Sequence, residues 1–261
     1  MRDALERSSV QVPQQRVVLL GASNLTRGIS TIVETAQGIL GQPLEVLTAL
    51  GHGRSYGIES RMLGRRLPGI MNCTLWEALA GATRLPTTAL LTDIGNDILY
   101  DVEVPQIVAW VAAAIDRLQS AQARICATLL PVVSIERLGN GRFLLLRRLF
   151  FPRCRLSLGE VCQRAIRLHD ELAKLGQSRG VSLVEHDALW YGFDPIHIRQ
   201  RHWRVAWPRI LSMWDDAAQM KRELPRGSLA RWMYLRTRCP HQRSLFGIDQ
   251  HRAQPSARLR D

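Results

Sequence analysis

The sequence predicts an α/β fold, a mostly parallel sheet of five strands with helices on both faces in a three-layer α/β/α sandwich. Three observations carry that reading. Short β-branched or leucine-rich runs occur at residues 16–21, 44–50, 87–94, 123–130 and 181–186. Helical candidates alternate with them at 25–40, 57–67, 103–120, 160–179 and 199–220, the spacing of right-handed strand–helix–strand crossovers. The runs "RVVLLG", "TALLTDIG" and "ARICATLLPVV" are apolar at consecutive positions, as strands buried on both faces are. With 261 residues, 46% hydrophobic and 22% charged, the chain can bury a full core and has an ordinary globular composition.

The first strand passes through Gly21 into "GASNLTRG" and the helix at 25–40. Backbone N–H groups and the positive end of a helix dipole favour an anion at such a turn. The turn therefore suits a phosphate group, a negatively charged intermediate built on Ser23, or a serine that only caps the helix. A dinucleotide site needs a second and third glycine in register and an acidic residue at the end of the next strand. Gly28 falls too late for that, and Glu45 lies at the wrong end of "LEVLTAL". A P-loop is excluded because no lysine follows a glycine at the required spacing.

The second strand leads into "ALGHGRSYG", with Gly51, His52 and Gly53, and then into the helix expected at 57–67. A loop histidine with no sequence partner, His52 reads as solvated. The third strand ends in "TDIGND"; Asp93 and Asp97 flank its Gly95–Asn96 pair but lack a third ligand at metal-binding spacing. The fourth strand is followed by "RLGNGRFLLLRRLFFPRCRL", residues 137–156, with seven large apolar residues between Phe143 and Phe151. Its length is too short for a membrane span. It reads as a lid over a cleft at the strand ends, with an element lying on anionic lipid or a hairpin packed on a neighbouring surface as the alternatives. After the fifth strand, His186 and Asp187 read as surface and turn residues, and "GFDPIHIRQRHW" carries Asp194 and His197. The last helix, 199–220, holds His202 and buries a stripe of Trp203, Trp207, Ile210 and Trp214.

Charge divides the chain unevenly. Residues 137–155 carry six arginines and no acid, and residues 221–261 carry ten Lys/Arg against three Asp/Glu, so the rest of a chain of net charge +12 is close to neutral. A nucleic-acid binder would show a reader motif or a basic face of the fold. Neither is found, and nucleic acid is disfavoured as a partner; an anionic membrane surface reached through 137–155 or the tail is the alternative. The domain expected at 16–220 is flanked by an extension, 1–15, and a basic tail, 221–261, expected to be partly disordered. Five cysteines (73, 126, 154, 162 and 239) form no C-x-x-C pair. With an N-terminus that lacks an apolar signal region, they point to reduced thiols, Cys239 among them as a free thiol of the tail, and to the cytoplasm.

In open α/β sheets the active groups gather at the carboxyl ends of the strands. There, in chain order, stand "GASN", "GHG", "GND" and "DPIH". Together they resemble the four blocks of the SGNH (GDSL-type) hydrolases, over about residues 16–215. The resemblance implies a flavodoxin-like sandwich and a serine hydrolase acting on an ester through an acyl-enzyme. It implies Ser23 as nucleophile, His197 as general base and then acid, and Asp194 as the carboxylate that orients the imidazole. It also implies an oxyanion hole made by the Ser23 N–H, the Gly53 N–H and the Asn96 amide. No cofactor or metal follows from it, and the partner it implies is a small-molecule ester. One departure is plain: Ala22 stands where the family has an aspartate before the serine, and the leucine that follows comes one place late, as Leu25. An acyltransferase using the same intermediate, or an inactive binding protein with the same cleft, are the other readings of these residues.

Overall fold

The structure, a computed structural model, describes residues 12–41, 43–62, 64–214, 226–238 and 242–259. Strand β1 (Gln15–Leu20) runs into helix α1 (Ser23–Leu40) and returns as β2 (Leu44–Ala49). Two short strands follow, β3 (Ser60–Met62) and β4 (Arg65–Leu67), then helix α2 (Leu75–Ala80). β5 (Thr87–Leu91), α3 (Val104–Ser120), β6 (Arg124–Thr128), the short α4 (Val132–Glu136), α5 (Asn140–Phe150), α6 (Leu158–Ser178) and β7 (Ser182–Val184) complete the alternation. Helices α7 (Trp203–Leu211) and α8 (Leu229–Arg238) and strands β8 (Gln242–Leu245), β9 (Ile248–His251) and β10 (Ala257–Leu259) close the chain.

The main sheet has the order β10-β2-β1-β5-β6-β7, and its five expected strands are all parallel. The sixth, β10, adds antiparallel to the β2 edge. Alternation along β1 divides the core: Val18 and Leu20 face α2, α3 and α6, and Val17 and Leu19 face α1 and α7. Arg16 and Glu45, opposite each other in register, form a buried ion pair at 2.7 Å. Gly28 of α1 is where Trp207 crosses, since an added Cβ would meet the indole at 2.5 Å. That contact seats α7; Trp207, Ile210 and Trp214 are buried as their spacing predicts, while Trp203 is only half-buried against the same cluster. β1 lies where the chain reverses direction across the sheet, so the ends of β1 and β5 flank the crevice such a reversal opens.

The structure departs from the expected elements in several places. The segment 57–67 is a hairpin, not a helix: Gly64 takes φ +73°, a left-handed conformation that breaks a helix and suits a turn. β4 finds its second partner in β8, almost 180 residues on, and a four-stranded sheet β3-β4-β8-β9 results. The basic tail is built into the fold wherever it is described. Glu34 accepts from the Gly227 N–H at 2.6 Å, Leu235 of α8 is buried with α1, β8 pairs with β4 and β10 with β2, and β9 adds to β8. Segment 137–156, expected as a lid, contains a helix, α5, which does not fit the hairpin alternative; Phe143 and Phe151 are in the core and Leu144, Leu145 and Leu149 are exposed. The last helix is broken into a 3-10 turn, α7 and a second 3-10 turn ending at Trp214; 215–220, residues 1–11 and Cys239 lie outside the described residues. No described helix is long and apolar enough to cross a membrane.

Candidate active site

The turn after β1 is sharp because Gly21 has no side chain; a Cβ there would lie 2.6 Å from the Thr92 methyl group. Ala22 is fully buried and Ser23 is the first residue of α1. The first N–H groups of a helix have no partner within it. Here a carboxylate from another strand end supplies one. Asp93, held at φ 59° just beyond β5, accepts through Oδ2 from the N–H groups of Ala22 (2.8 Å), Asn24 (3.1 Å) and Leu25 (3.3 Å). A negative charge at a helix N-terminus is favourable, so Asp93 fixes the turn that the missing acidic residue at position 22 leaves uncharged. The Ser23 N–H is passed over by this cap and has no partner among the described residues.

His197 arrives from the opposite side of the crevice. Asp194 Oδ1 accepts from the N–H groups of Ile196 (3.1 Å) and His197 (3.3 Å), closing a tight turn, while Oδ2 accepts from His197 Nδ1. That fixes the tautomer: Nδ1 carries the proton, and Nε2 is left to accept the Ser23 hydroxyl at 2.7 Å. Burial pushes the Asp194 carboxyl up, but the hydrogen bond and charge of His197, with the two backbone N–H groups, hold it below its ordinary range. It is therefore a carboxylate at neutral pH.

Asn24 joins the two halves. Its Nδ2 donates to Asp93 Oδ1 (2.7 Å) and to the Ile196 carbonyl (2.8 Å), and its Oδ1 accepts from the Ile198 N–H (2.8 Å). The loop residues bonded on either side of His197 are thus bound to the residue after Ser23. Sequence reasoning missed this role, and the only available signal was adjacency to the serine.

The "GHG" and "GND" turns are locked in the same manner. Asp97, buried, accepts from the Ser55 hydroxyl and the Tyr56 N–H (3.0 Å), and burial outweighs those bonds and pushes its carboxyl up to about 6. Gly53 takes φ +64°, its carbonyl accepting from the Tyr100 hydroxyl at 2.6 Å; a Cβ there would lie 2.5 Å from Met62. Gly53 and Asn96 border one cavity with Ser23 and His197. Asp93 and Asp97 are thereby accounted for, Asp93 as the brace of the turn after β1 and Asp97 as the brace of the loop that follows Gly53.

Two cavities meet at Ser23. One, of about 120 Å³, is mainly apolar and extends among Ile98, Leu130, Phe143, Leu146, Phe150 and Phe151. The other, about 390 Å³, opens past His52 and Gly53 toward Met62, Arg65, Arg243 and Leu245. Two histidines read as peripheral belong to these walls. His52 borders the second cavity; burial first, then Arg65 and Arg236, lower its pKa to about 4, so it is neutral. His186 borders the first, its Nδ1 2.6 Å from the Tyr191 hydroxyl, and burial likewise lowers it to about 4. Asp187 is a turn residue, accepting from the Leu189 N–H at 2.9 Å, and His202 sits at the start of α7.

No family model matches the chain, and no curated protein matches its sequence. Solved structures do. The inhibitor-bound aryl esterase of M. smegmatis superposes with a TM-score of 0.54 at 13% identity, covering 76% of this chain and 98% of its own. A member of the lipolytic protein G-D-S-L family from Veillonella parvula gives 0.50 at 13% identity, covering 76% and 96%. At these identities the likeness is one of fold, and the chain has the α/β fold of the SGNH (GDSL-type) hydrolases.

Proposed function

We propose that this protein is a serine hydrolase of carboxylic esters. The observation that carries the reading is the unbroken relay from Asp194 through His197 to the Ser23 hydroxyl, set where an apolar cavity opens on the crevice. Ser23 Oγ attacks the acyl carbon while His197 Nε2 takes the hydroxyl proton, and Asp194 stabilises the imidazolium that forms. The carbonyl oxygen becomes negative and meets the uncommitted Ser23 N–H, the Gly53 N–H and the Asn96 amide, donors fixed before the charge appears. The C–O bond to the alcohol then breaks, and His197 returns its proton to the leaving oxygen. Water, deprotonated by His197, attacks the acyl-enzyme and releases the acid with Ser23 restored. Phe143, Leu146, Phe150 and Phe151 along the first cavity give the acyl chain its wall, which makes the α5 segment a lid over that arm. The unpaired thiols of Cys73, Cys126, Cys154 and Cys162 support a reducing, cytoplasmic home.

Covalent labelling by a fluorophosphonate, with peptide mapping, tests the assignment. The label is expected on Ser23, and Ser23→Ala and His197→Ala should each abolish labelling and ester turnover. Asp194→Asn should lower kcat by roughly 10⁴, through loss of the correct imidazole tautomer. Label that persists on another serine of the Ser23→Ala protein would sink the assignment.

A further inference from the structure

The second cavity has a wall that hydrolysis of a neutral ester does not require. Met62, Arg65 and Leu245 lie in line across β3, β4 and β8, each the register partner of the next, and Arg243 lies two residues from Leu245 on the same face. All four border the cavity that contains Ser23, Gly53, Asn96 and His197, and the residues lining it include no carboxylate. Arg65 donates from Nη2 to the His52 carbonyl at 2.7 Å, and its Nε is buried with no hydrogen-bond partner. Among the described residues, Arg243 donates only to the neutral Gln250 side chain, at 2.7 Å. Neither arginine is in an ion pair with a described residue. Burial, and then Arg243 and Arg236, depress the Arg65 pKa from its ordinary value, the mark of cations gathered without a counter-charge. A half-buried guanidinium whose Nε is closed off from water with no partner is costly unless an anion completes it.

An ester has two arms at its acyl carbon, and two cavities meet at Ser23. The apolar one suits the acyl chain. We propose that the cationic one receives the alcohol, and that this alcohol carries an anionic group, a phosphate or carboxylate, held by Arg65 and Arg243. The inference rests on the hydrolase reading and names the substrate class within it: acyl esters of anionic alcohols. It also gives the basic C-terminal segment a task, because β8 is the strand that brings Arg243 to the cavity that Ser23 borders.

The test compares release of octanoate from 1-octanoyl-glycerol and from 1-octanoyl-glycerol 3-phosphate by the full chain. The two leaving oxygens are alike and only the distant charge differs. A charge-assisted contact should favour the phosphate in kcat/KM by roughly tenfold to a hundredfold at low salt. The preference should shrink as salt is raised. Arg243→Gln, on an open hairpin face, should bring the ratio of the two rates toward one; Arg65→Gln should do the same, and the hairpin variant decides if loss of the His52 contact unfolds the second. An acyl ester of a hydroxycarboxylate, run beside them, separates carboxylate from phosphate. Equal rates on charged and neutral esters, unmoved by salt or by Arg243→Gln, would overturn the inference and leave the hydrolase standing. Turnover of neither ester by a protein that also resists the fluorophosphonate would overturn both.

Discussion

At the scale of single residues, two asparagines within a few ångströms of one crevice have different duties. Asn96 borders both cavities, and the one hydrogen bond of its side-chain amide among the described residues is a long one, 3.4 Å to the Arg54 carbonyl. Asn24 makes three bonds of 2.7 to 2.8 Å and reaches no cavity group that reacts. Asn96→Ala should therefore lower kcat by roughly 10² to 10³ with little change in KM, since an oxyanion donor meets full charge only in the transition state. Asn24→Ala should act through geometry. It frees the residues on either side of His197, and a displacement of about 1 Å between base and nucleophile costs on the order of 10² in rate. The expected signature is a fall in kcat and in fluorophosphonate labelling rate with KM for a short ester unchanged. Full labelling rate in a protein whose unfolding midpoint alone has dropped would reduce Asn24 to a structural brace.

At the scale of elements, α5 shows what periodicity can and cannot say. Residues 143–151 read as a detachable cover, yet Phe143 and Phe151 are core residues, Phe151 packing edge-on against Tyr100 at 5.2 Å between ring centroids. Replacing the whole segment would open the core, so the lid question narrows to Phe150, which is partly exposed and borders both cavities. Phe150→Ala should leave acetyl-ester turnover close to wild type and reduce octanoyl-ester turnover, by at most about 0.8 kcal/mol for each methylene that loses its contact. A uniform loss across chain lengths would mean that Phe150 supports the nucleophile rather than the acyl chain. The parallel strands were legible because consecutive apolar residues on a buried strand have few other readings. The hairpin at 57–67 was not: its partner strand begins at Gln242, and strand pairing across such a distance leaves no local pattern. In the tail, likewise, charge is visible in sequence and the pairing of its described strands with β2 and β4 is not.

At the scale of the whole molecule, the four blocks were legible as motifs because each sits at a strand end, and the strand order then brings those ends together. What spacing could not reveal is how burial sets protonation. His52 and His186, both read as solvent-side residues, lie against the site with pKa values lowered to about 4, in each case by burial first. An unfolded chain binds a proton at each below its ordinary value of about 6.5. Their contribution to stability is therefore present above pH 6.5 and is lost as pH falls toward 4. Asp97 works in the opposite sense. Raised by burial to about 6, it contributes stability when protonated, present below its unfolded value of about 3.9 and lost as pH rises through 6. Two groups thus weaken the fold on acidification across pH 6.5 to 4 while one strengthens it, and stability should decline over that window. His186→Gln keeps a polar partner for the Tyr191 hydroxyl and removes one titration, so the difference in urea midpoint between pH 7 and pH 4.5 should shrink. Asp97→Asn removes the opposing titration, and the same difference should widen. A His186→Gln protein with the wild-type difference would show that burial does not shift the His186 pKa between the unfolded and the folded state.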